Sequence, residues 1–496
     1  MIMFEKITPE KAGISSAKVE AFLRTLDRRG LATHSVLFMR GDKIFGEFYW
    51  KPFHKDLCHR MYSETKSFVS VAIGLLIDDG KLSLDDKVAR FFPDKCDREL
   101  PDYLKEMTVR HMLMMETCGY QPSWFKNDEK DRVRLYMNET TASLPSGMRF
   151  AYDSAGSQVL CTLVERLSGK SLFDFLYERI FIKLGTFKTA TILKTKTNDS
   201  FGDSALLCTT RDMASFARFV MNYGRWNSEQ LVSEDYLRAA TTPLVDNDQL
   251  GFDDYNTRGY GYQIWCLENG RFFFNGMGCQ LTFCIPDKDL IFVITSDNQG
   301  YPSAKSLIYA AFEDLILNEI QSESLPEDSA AYASLCACSE SLRLMTLKGE
   351  KKSPFAESLS GNRYVCEANP TGIREFTFTF AGDDTGTLRY VNDQGEKVLH
   401  FGLGKNVFEK FPQLGYSNEH AGLQTDDGFM YDCAACAVWR EKQKLLLKVQ
   451  IIDRYLGNML AMFSFRDDYA VVRMTKTAEN FLEEYVGEFV ARRETK

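Results

Sequence analysis

A serine and a lysine three residues apart stand at the start of one of the most apolar stretches in the first third of the chain. Ser63 and Lys66 lie in MYSETKSF, which is followed by VSVAIGLLIDDG. This spacing places both side chains on one face of a helix. The positive end of a helix favours negative charge, which suits a serine alkoxide. A desolvated lysine loses its proton more easily, so the pattern predicts a serine nucleophile with a lysine as its general base.

The spacing alone is weak evidence, because the same pattern occurs elsewhere in the chain. Ser15 and Lys18 show it in a polar, surface-like context, where a solvated helix face is the simpler interpretation. Ser63 differs because the helix after it is predicted to be buried, and a lysine in its first turn must then be paired or functional. A histidine-dependent triad is the poorer explanation. The chain has six histidines, but it contains no Gly-x-Ser-x-Gly motif that would place a serine nucleophile for one of them.

Two further segments could complete such a site. Tyr152, in RFAYDSAGSQVL, stands two residues before Ser154, which could cap the next helix. The Tyr152 hydroxyl could relay a proton to a leaving group, although a packing aromatic is the simpler alternative. The turn Asn275-Gly276-Met277-Gly278 could bring a backbone N–H close to a substrate carbonyl, or it could be a plain hairpin turn.

Composition and charge limit the other functions that are open to the chain. A length of 496 residues exceeds one ordinary core, so two or three domains are expected. The net charge of −9, without a basic block, disfavours nucleic acid as a partner, and no apolar stretch predicts a membrane span. The N-terminal segment lacks the pattern of a signal peptide, so a cytoplasmic location with reduced cysteines is expected. Cys433 and Cys436 are interpreted as strand cysteines rather than a zinc site, and neither a metal nor a cofactor is predicted.

The order of predicted elements is strands, then helices, then strands, which indicates an α+β fold with one antiparallel sheet built from both ends of residues 1–320. A polar linker is predicted at 321–334 and a mainly β domain at 335–496, ending in a helix over 478–491. The other predicted helices cover 16–30, 66–77, 108–116, 155–169, 171–185, 210–224 and 303–320, and the predicted strands of the first domain lie within 35–50 and 260–298.

Together and in this order, these segments resemble the serine β-lactamase and penicillin-binding-protein superfamily, in particular its class C-like branch of esterases, amidases and D-amino-acid peptidases. The resemblance covers about residues 8–320 and rests on SETK, TVRHMLMMETCGY and ALLCTTRDMASFARFVMNYGRW. It implies that Ser63 is the nucleophile and Lys66 its base. It also implies an α/β sandwich, with helices on both sides of an antiparallel sheet and an all-helical insertion.

The resemblance also implies roles for the two further segments. Tyr152 matches the tyrosine of the Tyr-x-Asn motif and would be the second proton-transfer group, while Ser154 stands where the substrate-binding asparagine is usual. The third motif, Lys-Thr-Gly or His-Thr-Gly, corresponds to Phe274-Asn275-Gly276, so only its glycine matches and a cationic grip on a substrate carboxylate is not expected. The implied oxyanion hole is formed by the backbone N–H groups of Ser63 and Met277.

These observations predict a metal-free serine hydrolase that cleaves an ester or amide of a small molecule or short peptide through an acyl-enzyme on Ser63. A penicillin-recognising β-lactamase or D-amino-acid peptidase is the first alternative, which the altered third motif makes less favourable. A non-catalytic binding protein with the same fold is the second alternative. The C-terminal domain matches no catalytic motif and resembles the β-rich appendages that some relatives carry.

Overall fold

The chain divides into two compact units, residues 1–343 and residues 344–496. The boundary lies beyond the linker expected at 321–334, because a helix starts inside that segment at Ser329. Leu335 of this helix is buried in the core of the first unit, which ties the helix to that unit. The computed structural model describes residues 4–120, 123, 127–247, 258–413, 429–478 and 481–494.

The first unit is organised around one sheet with the strand order β1-β3-β2-β12-β11-β10-β9, in which all neighbours are antiparallel except β1 with β3. The sheet therefore combines strands from both ends of the unit, as the sequence predicted. The strands of the described residues are β1 (Glu5–Lys6), β2 (Thr33–Arg40), β3 (Lys43–Tyr49), β4 (His59–Arg60), β5 (Thr191–Ile192), β6 (Leu206–Cys208), β7 (Arg225–Trp226), β8 (Glu229–Gln230), β9 (Trp265–Cys266), β10 (Phe272–Gly276), β11 (Gln280–Ile285) and β12 (Leu290–Ser296).

Helices cover both faces of this sheet. A π-helical turn at Tyr177–Phe181 joins two of the helices, so one helical segment covers the predicted 171–185. The helices of the described residues are α1 (Ser16–Arg28), α2 (Thr65–Asp78), α3 (Asp102–Lys105), α4 (Val109–Leu113), α5 (Arg132–Glu139), α6 (Ser154–Ser168), α7 (Leu172–Leu176), α8 (Ile182–Leu184), α9 (Thr210–Met221), α10 (Glu234–Ala240), α11 (Ala304–Phe312) and α12 (Ser329–Ser341).

The apolar sequence of β12 follows from its position between two cores. Ile291 and Val293 face the core that contains α2 and α9, while Phe292 and Ile294 face the core that contains α1 and α11. Because successive side chains of a strand point to opposite faces, a strand covered on both sides is apolar at every position. The expected α+β class, with an antiparallel sheet between helices, is confirmed. In the described ranges, no helix has both the length and the apolar character needed to cross a bilayer.

The second unit is mainly β, as expected. Its strands follow the order β16-β15-β14-β13-β22-β21-β20-β19-β18-β17, and a parallel pairing of β16 with β18 closes the sheet on itself. Its described elements are α13 (Phe355–Leu359), β13 (Arg363–Cys366), β14 (Glu375–Ala381), β15 (Thr385–Asn392), β16 (Gly395–Leu403), β17 (Val407–Lys410), β18 (Asp432–Glu441), β19 (Lys444–Ile452), β20 (Leu456–Arg466), β21 (Tyr469–Ala478) and β22 (Gly487–Arg493).

The helix predicted over 478–491 is wrong. Residues 479–480 lie outside the described residues. The remainder contains the last residue of β21, a 3-10 turn at Glu483–Tyr485 and, from Gly487 onward, β22, which pairs with β21 and β13. Phe489 and Ala491 are buried while Glu488 is not, so the apolar positions repeat every second residue. The acidic residues before Val486 are typical of a helix start. Pairing with β21 and β13 nevertheless makes the residues that follow a strand. The interpretation of Cys433 and Cys436 is correct, since both are buried on β18.

Candidate active site

Ser63 lies in a short 3-10 turn, Tyr62–Glu64, that leads directly into α2. It is half-buried, whereas every other residue from His59 to Leu76 is fully buried. The helix after it is apolar on all sides because α6, α7 and α10 pack around it. Ser63 therefore presents the exposed hydroxyl of an otherwise inaccessible segment, at the positive end of a buried helix.

The turn that carries Ser63 is held by Thr65. The Thr65 hydroxyl donates to the Tyr62 carbonyl over 2.6 Å and accepts from the Leu206 N–H over 3.1 Å, which ties the turn to β6. Tyr62 itself has a φ of +48°, in the left-handed region that non-glycine residues rarely adopt. Such strain persists only where the surroundings fix it, and it is common at functional sites.

Lys66 connects the turn that carries Ser63 to the loop before β6. Its ammonium donates to the Ser63 Oγ over 3.0 Å and to the Asp203 carbonyl oxygen over 2.6 Å, and its side chain is fully buried. The two residues that the spacing paired are thus in direct contact. A lysine at this distance is within reach to exchange a proton with the serine hydroxyl.

Two buried carboxyl groups lie near Lys66. Burial raises the pKa of Asp203, and the cations Lys66 and Arg132 offset part of that effect. Burial likewise raises the pKa of Asp153, against the hydrogen bonds that this carboxyl accepts from the Gly156 N–H and the Tyr136 hydroxyl. Both carboxyl groups are buried and interact electrostatically with Lys66, so they contribute to the electrostatic environment of its amine.

Tyr152 faces the same amine through its ring. The Lys66 Nζ lies 5.2 Å from the centre of the Tyr152 ring, which stacks on Trp265 at 5.8 Å. The expected capping role of Ser154 is wrong. Asp153 caps α6 by accepting from the Gly156 N–H, and Ser154 is the first helical residue. An aspartate between the tyrosine and the serine is an equally good cap, so the sequence could not separate the two.

The turn between β10 and β11 passes very close to the segment that carries Ser63. A Cβ atom at Gly276 would lie 2.2 Å from the Met61 carbonyl oxygen, so any other residue would push the two segments apart. This explains why the glycine remains where the rest of the third motif differs. Phe274 is fully buried against Phe216, so position 274 points into the core instead of the cleft. Cys279, with a φ of +68°, completes the tight turn.

A cleft of about 350 Å3 opens over Ser63. The structure brings five predicted residues together there: Ser63, Tyr152, Asn275, Gly276 and Met277. Ser154 is not among its lining residues. Gly278, the last residue of the predicted turn, also lines the cleft, together with residues that sequence reasoning did not single out, namely Trp265, Cys279, Asn298, Tyr301, Pro302 and Lys305. Four of these follow strand β12 in the polar segment SDNQGYPSAK, and that abrupt change from an apolar strand was the available signal.

The described residues include no group of three or more His, Cys, Asp or Glu side chains placed to hold a metal ion.

Comparison with known proteins agrees with this geometry. The model of the Beta-lactamase family matches residues 16–315, which is more than half of the chain. The chain therefore belongs to the Beta-lactamase family. The matched region lies within the first unit and contains the cleft with all its lining residues, while the second unit lies outside it.

Relatives within this family include hydrolases. The 6-aminohexanoate-dimer hydrolase of Paenarthrobacter ureafaciens is 26% identical over 264 residues, which covers 50% of this chain and 67% of that protein. A solved structure provisionally named a 6-aminohexanoate-dimer hydrolase of Bacillus anthracis has a TM-score of 0.53 and 17% identity, covering 66% of this chain and 89% of the other. EstCE1, a hydrolase with promiscuous acyltransferase activity, has a TM-score of 0.50 and 16% identity, covering 60% of this chain and 98% of the other. At these sequence identities, the two solved structures support only the assignment of the fold.

Proposed function

We propose that the protein is a serine hydrolase that cleaves an ester or amide bond of a small molecule or short peptide through an acyl-enzyme on Ser63. The observation that carries the proposal is the 3.0 Å contact between the Lys66 Nζ and the Ser63 Oγ at the one accessible point of a buried segment. A hydroxyl that is accessible, bonded to an amine and placed at a helix N-terminus meets the requirements of an activated nucleophile.

In the proposed reaction the Ser63 Oγ attacks the carbonyl carbon and its proton passes to Lys66, acting as the free amine. The carbonyl oxygen becomes an oxyanion, for which the backbone N–H groups of Ser63 and Met277 are the proposed donors. The tetrahedral intermediate collapses, and the leaving group departs with a proton delivered by way of Tyr152. Water then attacks the acyl-enzyme, releases the acid and returns the proton to the Ser63 oxygen.

The position of the oxyanion donors supports this assignment. Ser63 is in the first turn of its helical segment, where backbone N–H groups have no partner within the helix. Met277 follows Gly276 in the turn that closely approaches the Met61 carbonyl, and both Ser63 and Met277 line the cleft. An oxyanion hole requires this kind of fixed donor pair, because donors that need no reorganisation stabilise the developing charge best.

A reducing compartment such as the cytoplasm is the proposed location. All thirteen cysteines are free thiols, and most of them are buried in apolar surroundings. Burial raises the pKa of several of these thiols, for example that of Cys266 to about 12, which keeps them protonated and unreactive. A large number of cysteines without disulfide bonds is typical of proteins that remain in a reducing environment.

The proposal is tested by comparing Ser63→Ala with the matched control Ser15→Ala. Ser15 caps α1 and accepts a hydrogen bond from the Ala17 N–H, so its loss should lower the free energy of unfolding by about 1 kcal/mol without affecting hydrolysis. Ser63→Ala should lower kcat/KM for p-nitrophenyl esters at least about a thousandfold and abolish labelling by a fluorophosphonate. Full activity of Ser63→Ala would refute the proposal.

The same samples separate the two alternatives. Labelling by a fluorescent penicillin would support the penicillin-recognising alternative, which the burial of Phe274 at the usual cation position makes less favourable. If the wild-type protein neither hydrolyses esters and amides nor reacts with a fluorophosphonate, the non-catalytic binding protein is the better interpretation.

A further inference from the structure

The loop before β6 places one acidic residue directly against the proposed base. The Lys66 Nζ donates to the Asp203 carbonyl oxygen over 2.6 Å and to the Ser63 Oγ over 3.0 Å. Tyr152 faces the same amine with its ring, whose centre lies 5.2 Å from the Nζ. The side chain of Asp203 is buried, and its carboxyl group interacts electrostatically with Lys66. Asp203 therefore contacts the amine through its backbone and acts on it through its charge.

The position of this loop is fixed by α6. The Gln158 Nε2 donates to the Ser200 carbonyl oxygen over 2.9 Å, and the Gln158 Oε1 accepts from the Gly202 N–H over 3.1 Å. A Cβ atom at Gly202 would lie 2.3 Å from the Cys161 Sγ, so only a glycine allows the loop to approach the helix this closely. Because the loop is held here, the carbonyl of the next residue, Asp203, is a fixed acceptor for the proposed base.

Three cations act on the Asp203 carboxyl group. They are Lys66 of α2, Arg132 of α5 and Arg60 of β4, and the Arg132 Nη1 lies 3.6 Å from the Asp203 Oδ1. Burial raises the pKa of Asp203, whereas the charges of these cations lower it, that of Lys66 most strongly. Their attraction favours the carboxylate form of Asp203. Because a charge interaction is mutual, the carboxylate in turn favours the ammonium form of Lys66.

The other buried acid near Lys66 has a different function. Asp153 caps α6, and its carboxyl oxygens accept from the Gly156 N–H over 2.8 Å and from the Tyr136 hydroxyl over 3.1 Å. Burial raises the pKa of Asp153, and Lys66 offsets this effect less than the two hydrogen bonds do. Of the two acids, Asp203 is therefore the one whose charge is coupled more closely to the proposed base.

We infer that Asp203 is a positioning residue for the proposed base: its backbone carbonyl directs the Lys66 Nζ to Ser63, and its carboxylate stabilises the ammonium formed when Lys66 takes the serine proton. The proton moves from the Ser63 Oγ to the Lys66 Nζ while the Oγ bonds to the carbonyl carbon of the substrate. Asp203 takes no proton and keeps its charge throughout. A nucleophile, a base and a third group that orients the base together activate a hydroxyl. The inference rests on the proposed hydrolase function and adds a residue to its mechanism.

Asp203→Asn tests the inference because it removes the charge but keeps the backbone carbonyl and the shape of the side chain. For p-nitrophenyl acetate, kcat and KM are measured from about pH 5 to pH 10, since the pH dependence of kcat/KM reports ionisations of the free enzyme. Without the carboxylate the amine binds its proton less firmly, so the acid limb of this profile should move to lower pH by about 1 unit or more. On the plateau kcat should fall about 10-fold, because a weaker base takes the serine proton less readily, while KM changes little.

Glu47→Gln is the matched control. Glu47 is likewise a buried carboxylate that pairs with an arginine, its Oε1 lying 2.6 Å from the Arg211 Nε, and it does not line the cleft. Removal of its charge should lower the free energy of unfolding but leave kcat and the acid limb as they are in the wild type. An equal shift of the limb in both variants would assign the effect to the loss of any buried ion pair and overturn the inference.

A second comparison applies if Asp203→Asn does not fold. Removal of one member of a buried ion pair leaves a charge without its partner, whereas removal of both members does not. The double variant Arg132→Met with Asp203→Asn is therefore compared with Arg132→Met, which retains Asp203. The acid limb of the double variant should lie at lower pH by about 1 unit or more. Coinciding acid limbs would overturn the inference.

Failure of the inference is distinguishable from failure of the proposed function. If Asp203→Asn is folded and its acid limb coincides with that of the wild type, Asp203 has only a structural role, and the hydrolase function stands as long as Ser63→Ala is inactive. If the wild type hydrolyses no ester and reacts with no fluorophosphonate, the proposed function fails and the inference fails with it.

Discussion

The chain contains two Ser-x-x-Lys sequences at helix starts within the described first unit, and they differ in almost every physical respect except spacing. At α1, Ser15 caps the helix and Lys18 pairs with Glu319 over 2.9 Å, with both charged side chains 41% exposed. At α2, Ser63 accepts a hydrogen bond from the fully buried Lys66. The spacing fixes which face of the helix the two side chains share, and that face is enclosed at α2 but solvated at α1.

The contrast extends to a buried glutamate near each serine. Glu10 is buried, and its two carboxyl oxygens accept from the Ser16 N–H and the Ser16 hydroxyl over 2.7 and 2.9 Å. Glu64, next to Ser63, is also buried, but neither of its oxygens has a well-formed hydrogen bond among the described residues. Burial raises the pKa of Glu64 well above its usual value, and the nearby Thr282 hydroxyl offsets only part of that effect. One acid stabilises its turn through two hydrogen bonds, whereas the other is buried beside Ser63 without such bonds.

The largest expected difference between the two sites is in catalysis. Lys66→Met keeps much of the apolar stem but removes the amine, so we expect kcat for p-nitrophenyl esters to fall about a thousandfold. Lys18→Met removes an exposed ion pair, which contributes less than about 1 kcal/mol to stability, and should leave kcat unchanged. Steady-state kinetics of both variants measures this difference in kcat. Equal effects of the two changes would show that burial does not distinguish the sites.

A smaller effect is expected for Tyr152, the aromatic partner of the α2 site. Tyr152→Phe keeps the ring that stacks on Trp265 and faces Lys66, but removes the hydroxyl. We expect kcat to fall about a hundredfold for alkyl esters and amides, whose leaving groups need a proton. For p-nitrophenyl esters the loss should be much smaller, because p-nitrophenolate leaves without protonation. A uniform loss across leaving groups would instead assign Tyr152 a packing role.

The smallest expected effect is on the free energy of unfolding. Its dependence on pH distinguishes Glu64 from Glu10. Below about pH 4.5 the Glu64 carboxyl is neutral in both states. As the pH rises above this value, the Glu64 carboxyl ionises in the unfolded chain but keeps its proton in the folded protein. The folded state therefore loses stability until the pH reaches the raised pKa of the folded state. Glu64→Gln abolishes this loss, and its advantage over the wild type should grow with pH by at most about 1.4 kcal/mol per unit.

Glu10→Gln is the matched control for that experiment. Its new amide group cannot accept the second hydrogen bond from Ser16, so the variant should be less stable by about 1–3 kcal/mol at neutral pH. Urea unfolding of both variants between pH 5 and 8 gives the comparison. A Glu64→Gln variant whose stability relative to the wild type does not change with pH would contradict a neutral buried carboxyl.

Much of the fold was predictable because it depends on periodic apolar residues. The buried α2 and the strands β10 to β12 were found this way, and the proposed nucleophile followed from the position of Ser63 at the start of α2. The helix predicted over 478–491 failed because pairing with β21 decides the state of that segment, and pairing is invisible in local sequence.

Part of the lining of the cleft was not predictable for a related reason. Lys305 and Asn298 come from a loop and a helix start that carry no motif, and only the folded chain brings them to the cleft of Ser63. The linker was misplaced because the polar residues around α12 hide the apolar contacts of Leu335 and Cys338. The periodicity of apolar residues identifies helices and strands. Contacts between loops that are distant in sequence are determined by tertiary packing.

The close approach of Gly276 to the Met61 carbonyl has a consequence for biosynthesis. The two segments are separated by most of the first unit, so a nascent chain exposes Ser63 to solvent long before the opposing turn has been translated. A prematurely terminated polypeptide would contain the serine and the lysine but lack the wall that completes the cleft. Hydrolytic competence should therefore emerge late, once strand β10 has docked, and truncated products should be catalytically silent.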